Sequence, residues 1–273
     1  MRIHDMVDLP LVSVITPTRD RERFLQNILR CFLGQDWPNL EWLIYDTSPV
    51  PSALFSRQVD PRVKYLHEAA DTSVGEKRNR LIEQARGAYI VHFDDDDYYA
   101  PSYITTLISA SLERNADFVK LSAFYLWKEP EGAFAYWDLD KTVGAHFSWS
   151  MGKLRLRNLS HSDELMLTSG NLGYGFSYLY RKSAWGSEKF PDLNWNEDGL
   201  FATRLDSSKT IFAFPDLTGI CIHLLHSKSS SRCFPQYLLP PFWVTRLMPH
   251  ARDYLRDLML LRPENYCPQN KKG

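Results

Sequence analysis

Apolar positions in the first hundred residues switch between short runs and a helical period of 3.6. Leu11 to Thr16 is a short β-branched apolar run and predicts a buried strand, which Pro17-Thr18-Arg19-Asp20 stops. Phe24, Leu25, Ile28, Leu29, Phe32 and Leu33 then form a helical stripe, with Gly34 fitting its C-terminal stop. After a turn at Asp36 to Asn39, Glu41 to Tyr45 predicts a second strand ending at Asp46-Thr47-Ser48-Pro49. Strand, helix, strand is a βαβ unit, so the two strands pair in parallel and their polar ends share one sheet edge. Val63 to His67 predicts a third strand. Ser73-Val74-Gly75-Glu76 has the form of a capping box, and the helix after it should place Leu81, Ile82 and Ala85 inward and end at Gly87.

Tyr89-Ile90-Val91-His92-Phe93 reads as a buried strand, and Asp94-Asp95-Asp96-Asp97 stands where it ends. Carboxylates this close raise one another's pKa unless solvent or a cation compensates. A solvated acidic turn is the plain alternative. The lack of any spacer and the apolar closure Tyr98-Tyr99-Ala100-Pro101 argue against it. In open α/β sheets the carboxyl ends of strands form the ligand crevice. Oxygen ligands there suit Mg²⁺ or Mn²⁺, which keep waters and bind substrate phosphates.

Ser102 to Arg114 predicts a helix and Asp117 to Phe124 a strand, followed by a hairpin turn at Lys128 to Gly132. Trp127, Tyr136, Trp137, Phe147 and Trp149 are expected mainly in the core, though such aromatics also line sugar clefts. Gly170 to Gly175 is a flexible loop without the strand-to-helix setting of a dinucleotide fingerprint. Phe176 to Tyr180, Ile211 to Phe214 and Gly219 to His223 predict strands, and Trp195 to Asp198 leads into a helix through Phe201 and Leu205. From Pro240, Trp243, Leu247, Tyr254, Leu255, Leu258 and Leu261 alternate with arginines, as in one or two amphipathic helices packed on the domain. A peripheral contact with a membrane through this tail is the minority expectation.

With 273 residues the chain is near the upper size of a single domain. Lys plus Arg number 32 and Asp plus Glu 33, a balance that does not point to nucleic acid. Cys31, Cys221, Cys233 and Cys267 show no zinc or disulfide spacing, which suggests a reducing, cytoplasmic setting. No apolar run approaches the roughly 18 residues of a membrane span.

Several separated motifs agree with one family. Val12 to Arg21 resembles the opening strand and turn of family 2 (GT-A fold) glycosyltransferases, and Pro38 to Ser48 their second strand with its acidic end. Gly75-Glu76-Lys77-Arg78-Asn79 and Ala85 to Ile90 are similar to the helix and lead-in before their metal motif. Asp94 to Asp97 resembles that DxD motif, and Asn196-Glu197-Asp198 the later motif that holds the catalytic base. The resemblance implies an α/β fold with a Rossmann-like, mostly parallel central sheet. Residues 1–235 would be the GT-A domain, with a nucleotide-binding half over 1–100 and an acceptor half over 101–235. Residues 236–273 would be a helical tail.

It also implies an inverting transferase that moves a sugar from a nucleotide-diphosphate sugar, UDP-linked first of all, to a glycan, lipid-linked or protein acceptor. Mn²⁺ or Mg²⁺ held by Asp96, with Asp94 or Asp95 assisting or touching the ribose, would neutralise the leaving diphosphate. The run offers two overlapping DxD frames, so the ligating residue stays open. Pro17, Thr18, Arg19 and Asp46 should cradle base and ribose, and Arg78 should meet phosphate. Asp198, beside Glu197, is the expected general base at a helix start. His226 resembles the late His that reaches metal or diphosphate, with His223 as its competitor. Two departures are visible: Thr47 replaces a second acidic residue, and Arg19-Asp20 replaces a Tyr-Asn pair. The competing classes are a non-catalytic relative that binds a nucleotide sugar or glycan, and an Asp-nucleophile phosphohydrolase. Tyr98-Tyr99 does not suit the second. A nucleotidyltransferase would want glycine after the first strand, and none is there.

Overall fold

The structure is a computed structural model that describes residues 9–57, 60–129, 131–150, 153–160, 172–186, 188–205, 209–229 and 231–257. Strand β1 (Val12–Thr18), helix α1 (Glu22–Leu33), strands β2 (Leu40–Asp46) and β3 (Val63–His67), helix α2 (Val74–Gln84) and strand β4 (Tyr89–His92) build the first half. All four strands are parallel, in the order β4-β1-β2-β3. The expected βαβ unit is present, and Thr18, Asp46 and His67 lie level at the same edge.

Every residue of β2 is buried because both faces are covered. Val12, Val14, Trp42 and Ile44 pack with Phe24, Ile28 and Phe32 of α1. The alternate residues Ile15, Leu43 and Tyr45 pack with Leu81 and Ile82 of α2. Strand β3 is the edge and is only half-buried.

Helix α2 starts on the predicted cap: Glu76 N–H donates to Ser73 Oγ at 3.1 Å. The Glu76 carboxylate completes no box. It pairs with Arg80 one turn on, at 3.0 Å. Ser73→Ala is expected to cost about 1 kcal/mol in urea unfolding, the usual price of a lost N-cap. The helix ends at Gln84 with Ala85 as its cap, not at Gly87. Gly87 serves close approach instead, since a Cβ there would lie 2.6 Å from Ser13 Oγ.

The second half begins with β5 (Tyr98–Tyr99), α3 (Tyr103–Arg114), the long β6 (Phe118–Lys128) and β7 (Ala133–Asp138). Strands β6 and β7 form the predicted hairpin, with Gly132 at φ +64 in its turn. A separate two-stranded sheet follows, β8 (Gly144–Ser150) with β9 (Lys153–Leu159). The segment Phe176 to Tyr180, expected as one strand, opens as a 3₁₀ turn over Gly175–Ser177. Only β10 (Leu179–Arg181) is strand, antiparallel between β4 and β6. Helices α4 (Lys182–Trp185) and α5 (Glu197–Arg204) lead to β11 (Ile211–Pro215) and β12 (Cys221–Leu225), both parallel to β6.

At the head of the segment read as a tail, β13 (Tyr237–Leu239) pairs with β7. Two short helices follow, α6 (Val244–Leu247) and α7 (Ala251–Asp257). Val244, Met248, Tyr254 and Leu255 are buried against the domain, whereas Trp243 is half exposed. Leu258 and Leu261 lie outside the described residues. Trp127 and Trp137 are in the core, as expected of the aromatic segment. Among the described residues no helix is long and apolar enough to cross a membrane.

Candidate active site

The edge shared by β1, β2 and β4 ends in polar groups, and each of the four aspartates after β4 turns to a different partner. Phe93 anchors the turn by stacking on Tyr99, ring centroids 4.1 Å apart. Asp94 accepts from Arg78 Nη2 at 3.3 Å. Asp95 lies 3.8 Å from Arg21 Nε. Asp96 Oδ2 is 2.8 Å from His226 Nε2. Lys228 N–H donates to His226 Nδ1 at 3.1 Å, so Nε2 carries the proton given to Asp96. Asp97 is fully buried, bonded to His223 Nδ1 at 2.9 Å and to Leu224 N–H at 2.8 Å. The fourth carboxylate therefore ties the turn to β12 and leaves three for the cleft.

Burial governs the protonation of this cluster. It pushes the Asp94 carboxyl up, against Arg78 and with the charge of Asp96. It pushes Asp95 well up, reinforced by Asp96. It lifts Asp97 to about 7 despite His223. Asp96 alone is held low, because the His226 bond and the nearby cations outweigh burial.

The second half brings its own carboxylates to the same place. Helix α2 positions them. Gly75 N–H donates to Leu193 O at 3.0 Å, and Asn79 binds both Phe190 O and Phe190 N–H. A Cβ on Gly75 would stand 1.9 Å from Pro191 O, so this close approach requires glycine. Asn196 then takes φ +61, a left-handed conformation that Asn tolerates, and α5 starts at Glu197. Glu197 accepts a short bond from Arg78 Nη1. Buried Arg78 thus bridges the Glu197 and Asp94 carboxylates across the two halves. Asp198 is held by two backbone donors, Gly175 N–H to Oδ2 at 2.6 Å and Gly199 N–H to Oδ1 at 2.7 Å. Buried Lys120 donates to Gly173 O at 2.9 Å and so fixes the loop that carries Gly175. Burial drops the Lys120 ammonium to about 7.

The acidic turn and the carboxylates of α5 line one cleft of about 530 Å³, a size suited to a small-molecule ligand. Pro17, Thr18 and Arg19 form one part of its wall, Asp94, Asp95 and Asp96 another, and Arg78, Glu197 and Asp198 a third.

A model of the family described as Glycosyl transferase family 2 matches residues 13–179, from β1 through the acidic turn into β10. The chain belongs to glycosyl transferase family 2. The glycosyltransferase GlyG of Streptococcus pneumoniae serotype 4 (strain ATCC BAA-334 / TIGR4) is 28% identical over 132 residues, 46% of this chain and 43% of GlyG. An uncharacterized glycosyltransferase of Haemophilus influenzae (strain ATCC 51907 / DSM 11121 / KW20 / Rd) is 24% identical over 209 residues, 74% of this chain and 75% of its own. The first two curated relatives are matched over only 39% and 43% of their length. Among solved structures, S. aureus TarS 1-349 in complex with UDP-GlcNAc has a TM-score of 0.59 at 18% identity, covering 90% of this chain and 66% of that one. At that identity the likeness speaks for the GT-A fold alone.

In this family 2 chain the expected site residues fall into two groups. Nine of them line the cleft, namely Pro17, Thr18, Arg19, Arg78, Asp94, Asp95, Asp96, Glu197 and Asp198. Asp46 and His226 stand behind its wall. Asp46 is buried and already bonded to Tyr65 OH at 2.6 Å and Ser48 N–H at 2.8 Å. His226 reaches the cleft through Asp96. Nothing in the sequence singles out Lys77, yet its Nζ donates to Thr18 O at 3.1 Å, and burial lowers its pKa to about 8. Gly175 is a second such residue. A Cβ there would stand 2.8 Å from Asp198 Cβ and 3.1 Å from its Oδ2, a constraint no local pattern displays. Gly175→Ala is expected to displace Asp198 and cut transfer by up to about 10²-fold, with nucleotide affinity kept, in paired calorimetric and turnover assays.

The acidic turn fits a divalent cation. Asp94 and Asp95 carry carboxyls pushed up by burial and mutual repulsion, which a cation would relieve. Among the described residues no three His, Cys, Asp or Glu side chains form a complete protein cage. One or two carboxylates completed by phosphate oxygens and water is the arrangement Mg²⁺ and Mn²⁺ favour.

Proposed function

We propose that the protein is a metal-dependent inverting glycosyltransferase that moves a sugar from a nucleoside-diphosphate sugar, with UDP as the first candidate, to an acceptor hydroxyl. The observation that carries this reading is one cleft that holds both an acidic turn for a metal diphosphate and a separately braced carboxylate, Asp198. TarS, which shares the fold, has been solved with UDP-GlcNAc and with UDP.

In this mechanism Asp96, with Asp94 or Asp95 beside it, would hold the cation, which would supply the positive charge that offsets the leaving diphosphate. Arg21 and Lys77 flank the same wall and add positive charge near the phosphates. Asp198 takes the proton of the acceptor hydroxyl as its oxygen bonds to the anomeric carbon. The bond from that carbon to the phosphate oxygen breaks, and its electron pair leaves with the diphosphate. One displacement gives inversion. The two backbone N–H groups fix the Asp198 carboxylate in place, so no reorientation is needed at the moment of proton transfer.

The test is calorimetric titration of UDP, GDP, CDP and dTDP, each with Mn²⁺ and with chelator. Binding of one nucleotide that depends on Mn²⁺ is expected. No binding of any of the four would remove the donor assignment.

A further inference from the structure

The far wall of the cleft has the opposite charge. Lys141, Arg157 and Arg232 line it, all three exposed. Lys141 is partly engaged, with Asp138 at 3.3 Å and Tyr237 OH at 3.1 Å. Among the described residues the guanidinium groups of Arg157 and Arg232 meet no carboxylate.

The two arginines share one wall. Arg157 stands opposite His146 in the β8–β9 register, and His146 Nδ1 donates to Phe234 O at 2.7 Å. Arg232 is two residues before Phe234, and its carbonyl accepts from Tyr174 OH at 2.8 Å. Tyr174 immediately precedes Gly175, whose N–H holds Asp198. These cations therefore sit on the Asp198 side of the site, on elements that carry none of the acidic turn. Strand β9 extends the pattern. Lys153, Arg155 and Arg157 occupy alternate positions, which puts them on one face, and all three are exposed. Alternate residues of a strand lie about 6.6 Å apart. Of the three, only Arg157 lines the cleft, so the row leads outward from it.

We propose that the acceptor is an anionic chain, with phosphodiester or carboxylate groups repeated along it, laid on the β9 row so that one hydroxyl reaches Asp198. This rests on the transferase reading above and adds the acceptor class to it. Spaced cations such as Arg157 and Arg232, which meet no carboxylate among the described residues, recognise repeated anions through charge-assisted bonds, with Arg suited to bidentate contact with either group.

The test uses the whole chain with three oligomers of equal length: glycerol phosphate, galacturonate and, as the neutral control, maltose units. Affinity is measured with saturating UDP and Mn²⁺ and again without them, on wild type and on the Arg157→Gln/Arg232→Gln double variant. One of the two anionic oligomers is expected to bind at least tenfold tighter than the neutral one and at least tenfold weaker to the double variant, and its identity names the anionic group. The double variant's melting curve and UDP affinity check its fold. Equal binding of all three oligomers, or equal binding by the double variant, would overturn the proposal. So would a tenfold preference for UDP-glucuronate over UDP-glucose that disappears in the double variant, because the cations would then serve the donor sugar. Failure of UDP to bind would count against the donor reading and leave the oligomer comparison intact.

Discussion

Asp198→Asn is expected to lower transfer by at least 10²-fold while nucleotide affinity stays within about twofold of wild type. The substitution keeps the shape and removes the basic lone pair. It also places an amide –NH₂ against one of two N–H donors, since Gly175 N–H and Gly199 N–H each bind one oxygen of the carboxylate. One of those bonds must be lost, so the side chain loosens as well as losing its basicity. Both effects fall on the chemical step and neither on the acidic turn. Turnover with saturating donor and acceptor, set beside calorimetric UDP affinity, separates them. Near-normal turnover in this variant would take Asp198 out of the role of base.

Asp96→Ala is the second large effect. UDP affinity in Mn²⁺ should fall to the value measured in chelator, a drop larger than the roughly 10- to 100-fold typical when only a supporting residue of a metal site is lost. The change removes the one carboxylate of the three whose pKa is held low, because the His226 bond and nearby cations outweigh burial at Asp96, while burial pushes Asp94 and Asp95 up. The fold should persist, since the bond from Tyr254 OH goes to the Asp96 backbone carbonyl and survives the substitution. A circular dichroism spectrum checks this. Manganese-dependent affinity equal to wild type would place the metal elsewhere.

The parallel half of the sheet is readable in the chain because β1, β2 and β4 are buried on both faces and carry short, mainly apolar runs. The acidic turn stands out for the opposite reason, as charge set directly against a buried strand. What the run does not display is its division of labour. Asp97 is the residue committed to β12, through His223 and Leu224, and that assignment depends on a strand more than a hundred positions away. The β8–β9 hairpin is not legible in the sequence although Lys153 to Arg157 alternates cleanly. Its Leu154 and Leu156 are 48% and 66% exposed, so the alternation marks no core face of the kind that makes a strand recognisable. Gly175 and Gly87 are legible only in three dimensions, where another segment occupies the space of a side chain.

Tyr254 reaches the acidic turn from α7, and its ring lies 5.4 Å from that of Tyr98. Domains form progressively as a chain leaves the ribosome, N-terminal portions first. The parallel half of this sheet can therefore assemble early, but the turn at its edge waits for a residue made some 158 positions after Asp96. During that interval the carboxylates repel without their brace. A nascent chain stalled before α7 emerges should carry the parallel strands and bind no nucleotide, so competence to handle a reactive donor would arrive only once α7 has been made.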